Sequence, residues 1–405
     1  MCVILHIQPM SKFLMVMVGV LYGAAIHADF RLVQEAARLN PDALVTEAVW
    51  QAEVKPGEKF DRIRLHQLDQ LHQVKNLDKK GPVLLYLPGT NMNSVPSIHS
   101  ARHNFIVYLA TQGVTTYGLD YRTAAIPAEY SGDTDFMQHW DFAAFVADAQ
   151  LAFEFIQAKH PGQPVYVAGF SRGASYAYAL VGQVPAAGLI VLDGSFKQYR
   201  EVSYDKQAAL TKFEKSGKFA TILSQRRGWE NRQMMMRQVI DDPASPALDP
   251  AYKTIGEQLT QTLYRAWGPG AMANPVDGVS DIQTLAQLLL GYDRFFPTIQ
   301  DINGKTISST LDAATELDDH FGELGVPLIY FGAANLGTDH LLNGIYSAGE
   351  SGATSVELHV LENYGHLDVL VGDQAAKEVF AVVLDWLSRQ EKIAAKVIID
   401  PSPVT

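Results

Sequence analysis

Apolar residues along the chain follow two alternating rhythms. Uninterrupted runs such as Val83-Leu84-Leu85-Tyr86-Leu87, Val165-Tyr166-Val167-Ala168, Gly188 to Leu192 and Val326 to Phe331 are bounded by Gly, Pro, Asn or Asp. Such runs predict strands buried on both faces, as in a parallel sheet. Helical spacing separates them, at roughly Ser100 to Gln112, Phe142 to Lys159 and Ala375 to Gln390, with Val114 to Arg122 and Val356 to Leu361 as further strands. Near the front, Leu44 to Val54 and Phe60 to Leu68 alternate with a period of two and suit antiparallel strands, whereas Phe30 to Leu39 reads as a helix. The alternation stops at Phe196. Up to about Gly325 the pattern is helical and irregular, with periodic stretches at Lys206 to Phe219, Asn231 to Ile240, Tyr252 to Trp267 and Ile282 to Leu290.

The predicted architecture is therefore α/β: a mostly parallel sheet with helices on both faces, and a helical cap inserted between the sixth and seventh core strands. The domain reading is a core of residues 29–195 and 326–395, a cap of residues 196–325, and a signal peptide over residues 1–28. The signal rests on Lys12, the apolar stretch Phe13 to Ile26 and a small residue, Ala28, before the cut. Either Met1 or Met10 serves as the start. The expected location is periplasmic or secreted, with no stable membrane anchor after cleavage. The one cysteine, Cys2, falls inside the signal, so the mature chain would have no disulfide and no thiol nucleophile. A net charge of −12 argues against nucleic acid as a partner. Oligomeric state is open at this level.

Candidate chemistry concentrates where one strand ends. Gly169-Phe170-Ser171-Arg172-Gly173 follows a predicted strand and opens a predicted helix. A serine on so tight a turn needs nearly side-chain-free neighbours two residues away on each side, and its hydroxyl is then raised at the carboxyl edge of the sheet. The Arg172 N–H, at the start of that helix, suits a developing oxyanion. A serine needs a base, and His366, in the loop after the last predicted strand, is the candidate.

On Leu87-Pro88-Gly89-Thr90, Gly169-Phe170-Ser171-Arg172-Gly173 and Tyr364-Gly365-His366, the chain resembles the α/β-hydrolase family over nearly all of its mature length outside the cap. That resemblance implies a second oxyanion donor at the backbone N–H of Thr90, or of Asn91. It also implies an acid about three residues past the strand Val326 to Gly332, where this chain has Asn335. Asp339, four residues on, is the first candidate, and Asp193, at the end of the preceding strand, is the alternative; Asp368 is a third carboxylate in the neighbourhood. The expected function is an exported serine hydrolase that cleaves a small-molecule or lipid-like carboxylic ester through an acyl-enzyme. An acyltransferase with the same residues, and a non-catalytic ligand-binding protein on the same fold, are the rivals. No cofactor and no metal is expected. Gly304-Lys305-Thr306 lacks the opening glycine and leading strand of a phosphate loop, His99 and His103 lack a third ligand, and Met234-Met235-Met236 reads as packing.

Overall fold

The computed structural model describes residues 29–39, 44–55, 57–71, 81–94, 98–261 and 279–399. The expected signal, residues 1–28, lies outside the described residues, as does the stretch from 262 within the helix predicted over Tyr252 to Trp267. Among the described residues no helix is long and apolar enough to cross a membrane.

The centre is one nine-stranded sheet in the order β1-β2-β3-β5-β4-β6-β7-β8-β9. Its strands are β1 (Arg31–Arg38), β2 (Val45–Glu53), β3 (Arg62–Gln70), β4 (Val83–Leu87), β5 (Thr115–Asp120), β6 (Val165–Phe170), β7 (Gly188–Leu192), β8 (Pro327–Ala333) and β9 (Ser355–Leu361). The first three pair antiparallel, β3 also with β5, and the remaining pairs are parallel. Buried parallel strands have two apolar faces, and each strand alternates between them. Leu84 and Tyr86 join one core, with Tyr166, Ala168 and Phe170, while Val83, Leu85 and Leu87 join the other, with Val165 and Val167.

The first core is covered by helices α1 (Phe105–Thr111) and α11 (Ala381–Ile399), and the second by α2 (Phe142–Lys159) and α3 (Arg172–Val181). Between β7 and β8 run α4 (Lys206–Ser216), α5 (Arg226–Asp241), α6 (Ile255–Leu259), α7 (Ile282–Leu290) and α8 (Ile299–Ser308); after β8 come α9 (Thr338–Gly349) and, after β9, α10 (Asp368–Val371). Local chemistry starts several of these helices. Asn104, Asp141, Asp205, Thr254 and Asp281 accept N–H groups in the first turns of α1, α2, α4, α6 and α7.

Two elements depart from the sequence reading. The stretch Phe30 to Leu39, read as a helix, is the edge strand β1, because pairing with the open edge of β2 outweighs the modest helix preference of Gln, Glu, Ala and Arg. All eight of its residues are exposed, and only Phe30 before it is buried, its ring tilted against that of Phe155 with centroids 4.6 Å apart. That extra strand places the helical insertion between the seventh and eighth strands. Gly304-Lys305-Thr306 lies inside α8, a helix the periodicity did not predict.

Strand order matters for the site. From β4 the chain crosses to β5 on one side and then returns to β6 on the other, so the connections diverge above the carboxyl ends of β4 and β6. In open α/β sheets that divergence opens a crevice where ligands bind.

The antiparallel side of the sheet holds a buried histidine between two carboxylates. His66 Nδ1 meets Glu47 Oε1 at 2.8 Å and its Nε2 meets Asp120 Oδ2 at 3.1 Å. Burial by itself pulls the imidazole pKa down, but Asp120 and Glu47 outweigh it and raise it to about 9. A pKa raised in the folded state gives stability that is complete below the unfolded value, about 6.5, and is lost as pH rises through about 9. The loss is expected to reach about 3 kcal/mol. Urea midpoints measured at pH of about 6 and about 10 should fall accordingly, and the fall should be much smaller in His66→Gln.

Candidate active site

Phe170 ends β6, and Ser171 turns the chain into α3 with φ 54° and ψ −121°. A non-glycine residue held there costs about 1–3 kcal/mol of backbone strain. Two contacts pin the turn: the Ser171 N–H donates to Leu192 O at 3.1 Å, and the Ala174 N–H donates to Ser171 O at 3.0 Å. Glycine is required on either side. A Cβ on Gly169 would strike the Gly173 carbonyl, and one on Gly173 would strike the carbonyls of Leu87 and Pro88, so the start of α3 presses directly on the end of β4. Ser171 occupies the N-cap position of α3, yet its side chain makes no capping bond.

The loop after β4 crosses the serine. A Cβ placed on Gly89 would lie 3.0 Å from Ser171 Cβ, which puts the Thr90 backbone close to the turn. Asn91 follows with φ 60° and is tied to the helical insertion: its Nδ2 donates to Asp293 O at 3.0 Å, and the Asp293 N–H donates to Asn91 O at 2.6 Å. The Arg172 side chain points the other way, onto α8, where it pairs with Asp301 at 3.5 Å. Its backbone N–H stays in the first turn of α3, where no intrahelical acceptor exists.

His366 reaches the same edge from the loop after β9. It is 5% exposed, and its imidazole stacks on Phe170, the residue before the serine, at 4.7 Å and 27°. Asp368 shapes this loop, since its carboxylate accepts the Gly365 N–H at 2.7 Å and the Ser280 hydroxyl at 2.5 Å. The imidazole Nδ1 meets Asp193 Oδ2 at 2.5 Å.

Asp193 is fully buried, with φ 45°, one residue past β7. Its Oδ1 accepts the Ala333 N–H at 2.8 Å and faces His340 Nε2 at 3.1 Å. Burial alone would raise its pKa, but the two imidazoles, His340 foremost, outweigh burial and hold it far below the usual carboxylate range. The Gly194 backbone that follows packs against the Ser171 carbonyl, so the ends of β6 and β7 form one unit.

Of the two acid candidates, Asp193 is the one that meets His366. Asp339 does not meet His366. Its carboxylate is 67% exposed and bonds Tyr199 Oη at 2.8 Å and Arg200 Nη2 at 3.1 Å. The reason is helical rotation: successive residues of α9 differ in direction by about 100°, so Asp339 faces outward and His340 turns in. Asn335 meets the histidine loop through its backbone N–H, which donates to Tyr364 O at 3.0 Å. His340 escaped the sequence reading because a histidine on a helix carries no signal of its own; its place just past β8 was the one available clue.

Other candidates fall to structural duties. His103 Nδ1 lies 3.0 Å from Val371 O, Met236 is buried against α7, and Met234 is exposed. Among the described residues, the atoms of Asp193, His340 and His366 lie within 4.8 Å of one another, close enough to share a metal ion, but their ligand atoms already face one another in hydrogen bonds. The helical insertion and the Tyr130 loop line an open pocket of about 820 Å³, bordered among others by Phe213, Phe295, Ile302 and Lys305, with Ser171 outside its lining.

Residues 97–367 match the serine aminopeptidase S33 family of α/β hydrolases. The chain belongs to that family. No protein of curated function matches the sequence. A protein of Sulfolobus solfataricus provisionally named a lipase shares this α/β-hydrolase fold with a TM-score of 0.72 at 22% identity, over 89% of this chain and 99% of its own. A thermophilic esterase from Thermogutta terrifontis aligns with a TM-score of 0.45 at 14% identity, over 84% of this chain and 98% of its own. The chain is an α/β hydrolase with a mostly parallel sheet.

Proposed function

We propose that this hydrolase cleaves a carboxylic ester through a serine acyl-enzyme. One observation carries the reading: a serine on a strained turn directly follows Phe170, on whose ring stacks a histidine whose Nδ1 is held by a buried carboxylate. An ionised carboxylate only accepts, so the proton between Asp193 and His366 belongs to Nδ1 and the lone pair of His366 is on Nε2. That nitrogen takes the Ser171 proton as Oγ attacks the ester carbonyl, and the N–H groups of Arg172 and Thr90 hold the oxyanion. The intermediate collapses as the C–O bond to the alcohol breaks, with His366 returning the proton to the leaving oxygen. Water, deprotonated by His366, then attacks the acyl-enzyme and frees Ser171 and the acid. The apolar segment Phe13 to Ile26 supports export as the setting of this activity.

The test is covalent labelling with a fluorophosphonate, read by mass spectrometry of the modified peptide, together with hydrolysis of p-nitrophenyl esters of increasing chain length. Label on Ser171 with ester turnover is the expected result. No label on a folded protein would sink the serine mechanism. Turnover of aminoacyl p-nitroanilides alone would move the substrate from esters to the amides that the family name suggests, and turnover that requires an added alcohol would make the enzyme an acyltransferase.

A further inference from the structure

We propose that His340 is a positioning residue of this site, a second imidazole that shares the Asp193 carboxylate and controls how much of its charge is available to His366. The proposal rests on the serine-hydrolase reading above. Asp193 offers two oxygens and each faces a histidine: Oδ2 faces His366 Nδ1 at 2.5 Å and Oδ1 faces His340 Nε2 at 3.1 Å. The two rings stand edge to face, 5.7 Å apart at 83°. The three residues come from three places in the chain, the end of β7, the first turn of α9 and the loop after β9, so their meeting is a property of the tertiary fold.

The two histidines differ in access to water. The side chain of His340 is 28% exposed, that of His366 is 6% exposed, and Asp193 is fully buried. His340 is therefore the member that exchanges a proton most directly with solvent. In its neutral form it donates Nε2–H to Oδ1, orients the carboxylate together with the Ala333 N–H, and leaves the negative charge intact. In its protonated form it neutralises that charge and sets a cation 5.7 Å from the ring that must itself become an imidazolium during serine attack. The neutral form is the productive one.

Among the described residues, the groups facing His340 are few. Asp193 approaches from β7 and His366 from the loop after β9, while the Tyr330 hydroxyl on β8 lies close enough to Asp193 to feel its charge. Asp339 and Arg200, next to it on the surface, are paired with each other. Burial pulls the His340 pKa down, but the Asp193 charge outweighs it, and the net direction is upward from the ordinary value. Protonation of His340 thus begins before the pH reaches the usual histidine range.

The experiment compares kcat/KM against pH for the wild type, His340→Gln and His340→Ala, on whichever p-nitrophenyl ester the wild type turns over, with thermal melts to confirm folding. Glutamine keeps a neutral N–H donor at the Nε2 position and cannot take a proton. As pH falls, wild-type kcat/KM should decline in two stages, the first of about tenfold, whereas His340→Gln should match it at the alkaline plateau and decline in one stage. His340→Ala should lose about tenfold in kcat at the alkaline plateau, with KM unchanged, and should decline in one stage. Superimposable profiles for the wild type and His340→Gln would overturn the proposal, as would a His340→Ala defect confined to melting temperature. Failure of the serine mechanism is a separate outcome, read from fluorophosphonate labelling of the wild type, which does not depend on the His340 variants.

Discussion

Ser171→Ala is expected to lower kcat for ester hydrolysis by about 10⁵ to 10⁶ while the protein stays folded. The hydroxyl makes no capping bond to α3, so its removal should leave melting temperature almost unchanged. Ser171→Gly should be equally inactive but more stable, by about 1 kcal/mol, because glycine occupies φ 54° without the strain that serine bears. Such a gain would identify the turn as a place where stability is sacrificed for a raised nucleophile. The measurements are steady-state hydrolysis and urea unfolding. Substantial ester turnover by Ser171→Ala would remove Ser171 from the mechanism.

Asp193→Asn should lower kcat by about 10⁴, whereas Asp339→Asn should stay within about threefold of wild type. The amide removes the negative charge that stabilises the imidazolium, and it can offer N–H where His366 needs an acceptor, which favours the wrong tautomer. Nothing nearby replaces it: Asp193 is fully buried, and the carboxylates of Asp339 and Asp368 are engaged elsewhere, one at the surface with Tyr199 and Arg200 and one inside the histidine loop with Gly365 and Ser280. Burial also predicts a stability cost for Asp193→Ala, which strands the Ala333 N–H and both imidazoles, of about 3 kcal/mol. The reverse ranking of the two asparagine variants, read from kcat on one ester, would return the role to Asp339.

The elements that catalysis would depend on differ in how visible they are along the chain. Ser171 is visible because a tight turn imposes its own residue types, small ones two positions to either side, and the strand before it and helix after it have their own periods. His366 is visible through its position after the last parallel strand. Asp193 is ambiguous: an aspartate at a strand end also serves as an ordinary turn residue, and only its contact across 173 residues with His366 separates the two uses. His340 is invisible, because its partner lies 147 residues away and its own helix gives it a polar, unremarked setting.

What the amino-acid sequence determined by itself is whatever follows from short-range chemistry: buried parallel strands written as unbroken apolar runs, a glycine-flanked serine turn, and an interruption of the α/β rhythm after Phe196. The tertiary structure decided what depends on partners far apart in the chain. It made β1 a strand, since an unpaired edge of β2 was there to receive it. It also brought Asp193, and not Asp339, to His366, since the rotation of α9 turns Asp339 to solvent and His340 inward, while a left-handed residue at the end of β7 keeps the other carboxylate buried between two imidazoles.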